Sequence, residues 1–398
     1  MPRKSGHGLD MRGPLGIVFM TVLIDLIGFG VVLPILPLYA KQYGASAVQI
    51  GFLTASYAFA QFVCAPILGR LSDRVGRRPV ILIALAGTIV AATTMGLANA
   101  LWILFVARTL DGISGASYAV GQAYVADLTG PEDRARAMGM IGAAFGIGLV
   151  IGPGIGALAS LASPRLPFFI TAAIAAANLA WAYRRLPESR PANLGAQPGR
   201  FEVVTGALRN RDIAPFVWAS LIGTLAFVGM ESTFALFGER RLGFGLAQTG
   251  LLFAYVGVLS ALVQGWLVRK LVPRFGEGPV LRAGLFISAL GLAAIAPCHQ
   301  VWQLLLACIP LALGSGLVFP TLTAIVSRRT SEHEQGGVLG VLASTNGLAR
   351  VVGPVAATAT FQHVGVWAPY VIGAGLFAAC LGVVGLRAAG GVPAVLRP

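Results

Sequence analysis

Polar residues in this chain come in short clusters, and the stretches between them are apolar. Residues 47–68 carry no charged side chain, and neither do residues 79–107. A helix needs about 20 apolar residues to cross a bilayer. Twelve runs reach that length, at roughly 14–39, 47–70, 79–99, 101–126, 136–160, 166–187, 212–238, 246–269, 279–298, 301–327, 335–361 and 365–387. The pattern predicts an all-α integral membrane protein of twelve transmembrane helices, numbered here as spans 1 to 12. The longest polar interval, Pro187 to Asp212, holds Glu188, Arg190, Arg200, Glu202, Arg209 and Arg211. It divides the chain into 1–187, a linker at 188–211, and 212–398.

The two halves repeat. Trp102 and Trp302 open similar spans, and Arg74-Val-Gly76 returns as Arg274-Phe-Gly276, each two hundred residues on. Gly152-Pro153 returns as Gly353-Pro354 after 201. Landmarks at nearly one offset indicate a duplicated six-helix unit. Two parallel six-helix bundles with a site between them are a transporter architecture.

Composition agrees with a membrane setting. The 398 residues are 56% hydrophobic and 11% charged, with mean hydropathy +0.80, whereas soluble domains carry about 25% charged residues. The basic segment Met1–Gly13 lacks a small-residue cleavage site and reads as a retained tail. Most basic residues, from Arg12 and the Arg70–Arg78 cluster to Arg328 and Arg329, fall on the side of both termini; only Lys41, Arg165, Arg240 and Arg241 fall opposite. Both termini and the linker are therefore expected in the cytoplasm, in a cytoplasmic (inner) membrane protein. The net charge of +14 suits lipid headgroups better than nucleic acid, because its residues sit in short loops between spans. Cys64, Cys298, Cys308 and Cys380 lack CxxC spacing, so neither a disulfide framework nor a metal site is indicated.

The densest polar cluster is Gly69-Arg-Leu-Ser-Asp-Arg-Val-Gly-Arg-Arg-Pro79, read as a short loop turning span 2 into span 3. Its order of Gly69, Asp73, Arg74, Gly76, Arg77 and Arg78 resembles the loop between helices two and three of the major facilitator superfamily. Span 4 opens its polar part with Arg108-Thr-Leu-Asp111-Gly112, which resembles that family's buried arginine and small-residue face. It ends at Asp127, the acid that in the family sits against the loop arginines. Span 5 carries Gly148, Gly152, Pro153 and Gly156, at a spacing that allows close helix contact. With its Gly-Pro, the stretch resembles the signature of the antiporter branch. Tyr57, Gln61 and Ala65-Pro66 in span 2 and Gln264 in span 8 resemble the tetracycline-exporting antiporters. There are departures. Where those exporters carry acids in helices 3 and 9 and a histidine in helix 8, this chain has Ala91, Ser288 and Ser260, and it adds Glu231 in span 7.

The resemblance implies a secondary transporter exporting drugs or small amphipathic compounds by antiport with protons. The energy source is then the proton gradient, with no cofactor, and the partners are a small-molecule substrate, protons and membrane lipids, in a monomer. No Walker lysine motif points to ATP. Candidate wall residues of a central cavity are Tyr57, Gln61, Tyr118, Gln122, Phe227, Gln264, Phe319 and Asn346, although the same side chains also serve ordinary helix packing. Loop residues Gly69, Asp73, Arg74, Gly76, Arg77 and Arg78, with Asp127, are the expected gate. The four histidines (His7, His299, His333, His363) fall in the tail or loops, which leaves carboxylates to carry protons. Asp25, Asp111 and Glu231 stand inside spans, where a charge is costly and demands a polar partner or cavity. Asp111 lies one turn from Arg108, and the two either neutralise each other or take part in proton coupling. Asp25 and Glu231 have no cation on their own helix and are the expected carriers; a structural pairing of Asp25 with Arg108 is the alternative. Two other functions stay open: proton-coupled uptake of a metabolite on the same fold, and a membrane-embedded enzyme or sensor. For the enzyme, His333-Glu334 lacks a second histidine and no nucleophile–base set stands out.

Overall fold

The computed structural model describes residues 13–115, 117–129, 131–189, 210, 212–330 and 335–388. Among them every regular element is helical. The first half runs α1 (Pro14–Lys41), α2 (Ala47–Val75), α3 (Arg77–Gly96), α4 (Leu101–Gly115), α5 (Ser117–Leu128), α6 (Pro131–Ala162) and α7 (Leu166–Arg185). The second runs α8 (Ala214–Leu242), α9 (Leu246–Leu262), a π turn (Val263–Leu267), α10 (Val268–Phe275), α11 (Glu277–Ile295), α12 (Val301–Arg328), α13 (Gln335–His363) and α14 (Ala368–Ala388). Eleven described stretches are long and apolar enough to cross a membrane. Span 4 is shared between α4 and α5, either side of residue 116, and span 8 is interrupted by the π turn.

The cluster at 69–79 is not the loop its polarity suggested. α2 continues through Val75 and α3 begins at Arg77, so the reversal is made by Gly76 alone, at φ 105° and ψ 155°. Residues with a Cβ rarely adopt that conformation. Likewise His363 closes α13 instead of standing in a loop, while His7 and His333 lie outside the described residues, as does most of the linker.

Contacts divide the chain into two compact units. One comprises Met1–Gly44, Ser56–Ala196 and Leu246–Ala254, the other Ala45–Ala55, Gln197–Gly245 and Tyr255–Pro398. Within the first, α1 packs on α6 and α7, and α3 on α4 and α7. Within the second, α8 packs on α13 and α14, and α11 on α12 and α14. Each unit thus repeats the same neighbour pairs. Prolines inside helices, such as Pro34, Pro153 and Pro354, are tolerated because neighbouring helices and side chains resatisfy the backbone they disrupt. Thr358, one turn after Pro354, donates its hydroxyl to the Pro354 carbonyl at 2.7 Å.

Candidate functional site

Three constructions stand out in the first unit. The first surrounds Gly76. Arg77 is buried, its side chain 7% exposed, and its guanidinium pairs with Asp73 at 2.5 Å and with Asp127, at the end of α5, at 3.0 Å. It also donates to the Ser72 hydroxyl at 2.6 Å. Arg78 points elsewhere: it donates to the Tyr183 carbonyl of α7 at 2.6 Å and lies over the Tyr183 ring. Arg74 is exposed and stands outside these pairs, and Gly69 has open space where a Cβ would be. The structure therefore brings Asp73, Arg77 and Asp127 together. It adds Glu188, counted from sequence only as a linker charge. The backbone N–H groups of Arg77 and Arg78 donate to the Glu188 carboxylate at 2.7 and 3.3 Å. A carboxylate on the free N–H groups of a helix start is favoured by both hydrogen bonding and the helix dipole. Tyr124 of α5 secures the adjoining residue, donating to the Pro187 carbonyl at 2.6 Å.

The second surrounds Arg108, whose side chain is 2% exposed and pairs with Asp111 at 2.7 Å. Its guanidinium lies 4.3 Å over the Tyr57 ring, a cation–π contact strengthened by desolvation. Gln61 donates to the Gly115 carbonyl at 2.9 Å, and Phe29 of α1 packs on Tyr57 with ring centroids 5.5 Å apart. A Cβ at Gly112 or Gly115 would run into Tyr57, so the small residues after Arg108 let α4 approach α2. Tyr57, Gln61, Arg108 and Asp111 thus form one cluster. The Tyr57 stacking had no signal in the sequence, because 51 positions separate it from Arg108.

The third is the glycine stripe of α6. A Cβ at Gly148 would stand 2.8 Å from Leu26, one at Gly152 2.6 Å from Gly30, and one at Gly156 2.8 Å from Val31 and Ile35. Pro153 lies in the same stripe, beside Gly30. The helices α1 and α6 therefore meet backbone to backbone, which small residues permit in a membrane.

Asp25 does not pair with Arg108. It continues the α1 face of Val18, Thr21 and Val22, spaced as one helical stripe, and lines a cavity of about 20 Å³ together with Ile81, Leu85, Gly121 and Leu186. That volume admits about one water molecule. Asp25 thus faces α3 and α5 inside the first unit, because its face of α1 is the one these helices cover; Asp111 is an electrostatic neighbour.

In the second unit Glu231, on α8, feels Arg350 of α13, a cation from another helix. Asn346, one turn before Arg350, accepts hydrogen bonds from Ser220 and Thr224 of α8 at 2.9 and 3.0 Å, so its carbonyl is already engaged. Phe227 and Phe319 pack edge to face, centroids 5.5 Å apart. Gln264 is exposed, inside the π turn, and Gln122 is half-buried on α5. The Tyr118 side chain lies outside the described residues.

These features have counterparts in known proteins. A sequence model of the Major Facilitator Superfamily matches residues 18–275 and 270–394. "Tetracycline resistance protein, class C" of Escherichia coli is 35% identical over 383 residues, covering 94% of this chain and 96% of its own length. "Multidrug resistance protein 1" of Bacillus subtilis (strain 168) is 30% identical over 350 residues, 86% of this chain and 88% of its own. The crystal structure of the human organic anion transporter MFSD10 (TETRAN) shares the fold, with a TM-score of 0.72 at 24% identity over 95% of this chain and 100% of that one. A multi-pass helical membrane protein with duplicated bundles, a charge-paired reversal after span 2 and a glycine stripe in span 5, this chain belongs to the Major Facilitator Superfamily.

Proposed function

We propose that this chain exports small amphipathic compounds, of the kind named in its tetracycline and multidrug resistance relatives, across the cytoplasmic membrane in exchange for protons. The observation that carries the reading is the backbone-to-backbone seam of Gly148, Gly152 and Gly156 on Leu26, Gly30 and Val31. It fixes the helix that bears Asp25 against a proline-bent neighbour. Both termini and the linker face the cytoplasm in this reading, and the working unit is a monomer. Tetracycline itself is a less suitable sole substrate, since Ala91, Ser260 and Ser288 stand where the tetracycline exporters carry ionisable groups.

Asp25 and Glu231 are assigned as the proton carriers. Asp111 is held by Arg108 in a direct ion pair, and that pair serves to position Tyr57. The aromatic and amide groups of Tyr57, Gln61, Phe227 and Phe319 supply adaptable contact area for loosely specified ligands. Asp73, Arg77 and Asp127 act as the gate, with Glu188 setting the start of α3.

The test is drug susceptibility in an efflux-deficient host, with and without a protonophore, for the wild type, Asp25→Asn and Glu231→Gln. The expected result is protonophore-sensitive resistance from the wild type that is lost in at least one of the two variants. Resistance indifferent to the protonophore would refute proton antiport, and full resistance in both variants would move the carrier role to Asp111.

A further inference from the structure

We propose that α10 and the π turn before it form a binding site for the headgroup of an anionic phospholipid, at the membrane face where span 8 ends. The π turn closes with the Val268 N–H donating to the Val263 carbonyl. It adds one residue to the helix and so rotates α10 by about 100° relative to an unbroken α-helix. On one side of α10, Leu267, Val268, Leu271 and Val272 pack on Val263, Val280 and Leu317. The other side carries Trp266, Arg269, Lys270, Arg274 and Phe275, all exposed. Trp266, Lys270 and Arg274 succeed one another at intervals of four and so share a face. The Lys270 ammonium lies 4.0 Å over the Trp266 ring, and the Arg274 guanidinium 5.3 Å from the Phe275 ring.

Among the described residues no carboxylate forms an ion pair with Arg269, Lys270 or Arg274, and the nearby Glu277 is taken by Arg328 at 3.0 Å. The corresponding stretch of the first half supplies its own acids, Asp73 and Asp127, to Arg77. Two hundred residues on, Asp73 is replaced by Pro273. Three cations with no carboxylate partner among the described residues, held between two exposed aromatic rings, match a phosphate with acyl chains beside it: the cations meet the headgroup, and the rings lie at the interface where amphipathic side chains are favoured. A phospholipid satisfies both halves of the surface, whereas a free phosphate would satisfy the cations alone.

The experiment is native mass spectrometry of the purified full chain, reconstituted with vesicles of palmitoyl-oleoyl phosphatidylglycerol or phosphatidylcholine and extracted into detergent. Retained lipid is measured for the wild type, Lys270→Gln, the triple variant Arg269→Gln/Lys270→Gln/Arg274→Gln, the charge-keeping Arg269→Lys/Arg274→Lys, and Arg184→Gln/Arg185→Gln as a remote control. Each basic side chain near an anionic surface contributes roughly fivefold. Phosphatidylglycerol affinity should therefore fall about fivefold in Lys270→Gln and on the order of a hundredfold in the triple variant. Phosphatidylcholine retention, the charge-keeping variant and the remote control should match the wild type. Unchanged phosphatidylglycerol binding in Lys270→Gln and the triple variant overturns the site, as does equal loss in the remote control. Displacement of the lipid by millimolar inorganic phosphate would reduce it to a simple anion site and overturn the lipid assignment.

Discussion

The reversals after α2 and after α10 use one backbone and opposite electrostatics. Gly76 sits at φ 105°, ψ 155° and Gly276 at φ 80°, ψ 164°, so each half turns on a single glycine. The charges around them are exchanged: Arg77 and Asp127 in the first half correspond to Glu277 and Arg328 in the second, at offsets of 200 and 201. Both halves keep an acid–base pair at 3.0 Å. Their environments differ sharply. The Arg77 side chain is 7% exposed and answers to two carboxylates, whereas that of Arg328 is 77% exposed and answers to one. Duplication has preserved the turn and the pairing, while burial decides what each pair is worth. Two aromatic pairs show the same exchange, Tyr39 on Phe168 at 4.7 Å and Phe237 on Tyr370 at 4.9 Å.

The comparison breaks most visibly at Arg77. Its replacement by Gln leaves Asp73 and Asp127 facing each other without their shared cation, and removing one partner of a buried pair costs about 3–5 kcal/mol. Thermal unfolding in lipid nanodiscs should show a loss of that order; an unchanged midpoint would mean the pair is solvated like its counterpart. Next come the turn glycines. A Cβ at Gly76 would stand 2.5 to 2.9 Å from the Glu188 carboxyl, whereas one at Gly276 meets nothing within 4 Å. Both alanine variants carry backbone strain of about 1–3 kcal/mol, and Gly76→Ala should be the more damaging because it also displaces the cap on α3. Equal midpoints for the two would remove Glu188 from the account. Smaller still is Glu188→Gln, which keeps a hydrogen-bond acceptor but loses the charge at a helix start. About 0.3–1 kcal/mol is expected, measurable as a salt-dependent shift that high ionic strength erases. The smallest effect is Arg328→Gln, an exposed pair worth about 0–1 kcal/mol.

Much of this was legible in the sequence because apolar runs and basic clusters report directly on lipid and interface. The spans came from apolar runs, the duplicated halves from landmarks repeated about two hundred residues on, and the pairing of Arg108 with Asp111 from spacing along one helix. The contacts that escaped join helices distant in sequence. Glu188 is 111 and 110 positions from the two N–H groups it accepts from, and Tyr57 reaches Arg108 from another helix. The π turn left no mark either, since Val263–Leu267 reads as ordinary apolar helix. Asp25 was placed on the right helix, but its face depended on which neighbours cover α1, and periodicity alone does not choose among several buried faces. The polarity of 69–79 suggested a loop where charged residues in fact continue both helices, because the pairs made by Arg77 let them do so.

The central claim is proton-driven export gated at the first-half reversal and not at its second-half counterpart. Its direct test is uptake of a fluorescent amphipathic drug into everted membrane vesicles energised by a pH gradient, for the wild type, Arg77→Gln and Arg328→Gln at matched expression. The account predicts protonophore-sensitive accumulation by the wild type and by Arg328→Gln, and at least a roughly tenfold slower rate for Arg77→Gln, the equivalent of about 1.4 kcal/mol in a transition-state barrier. Accumulation that ignores the protonophore, or equal rates for the two arginine variants, would contradict it.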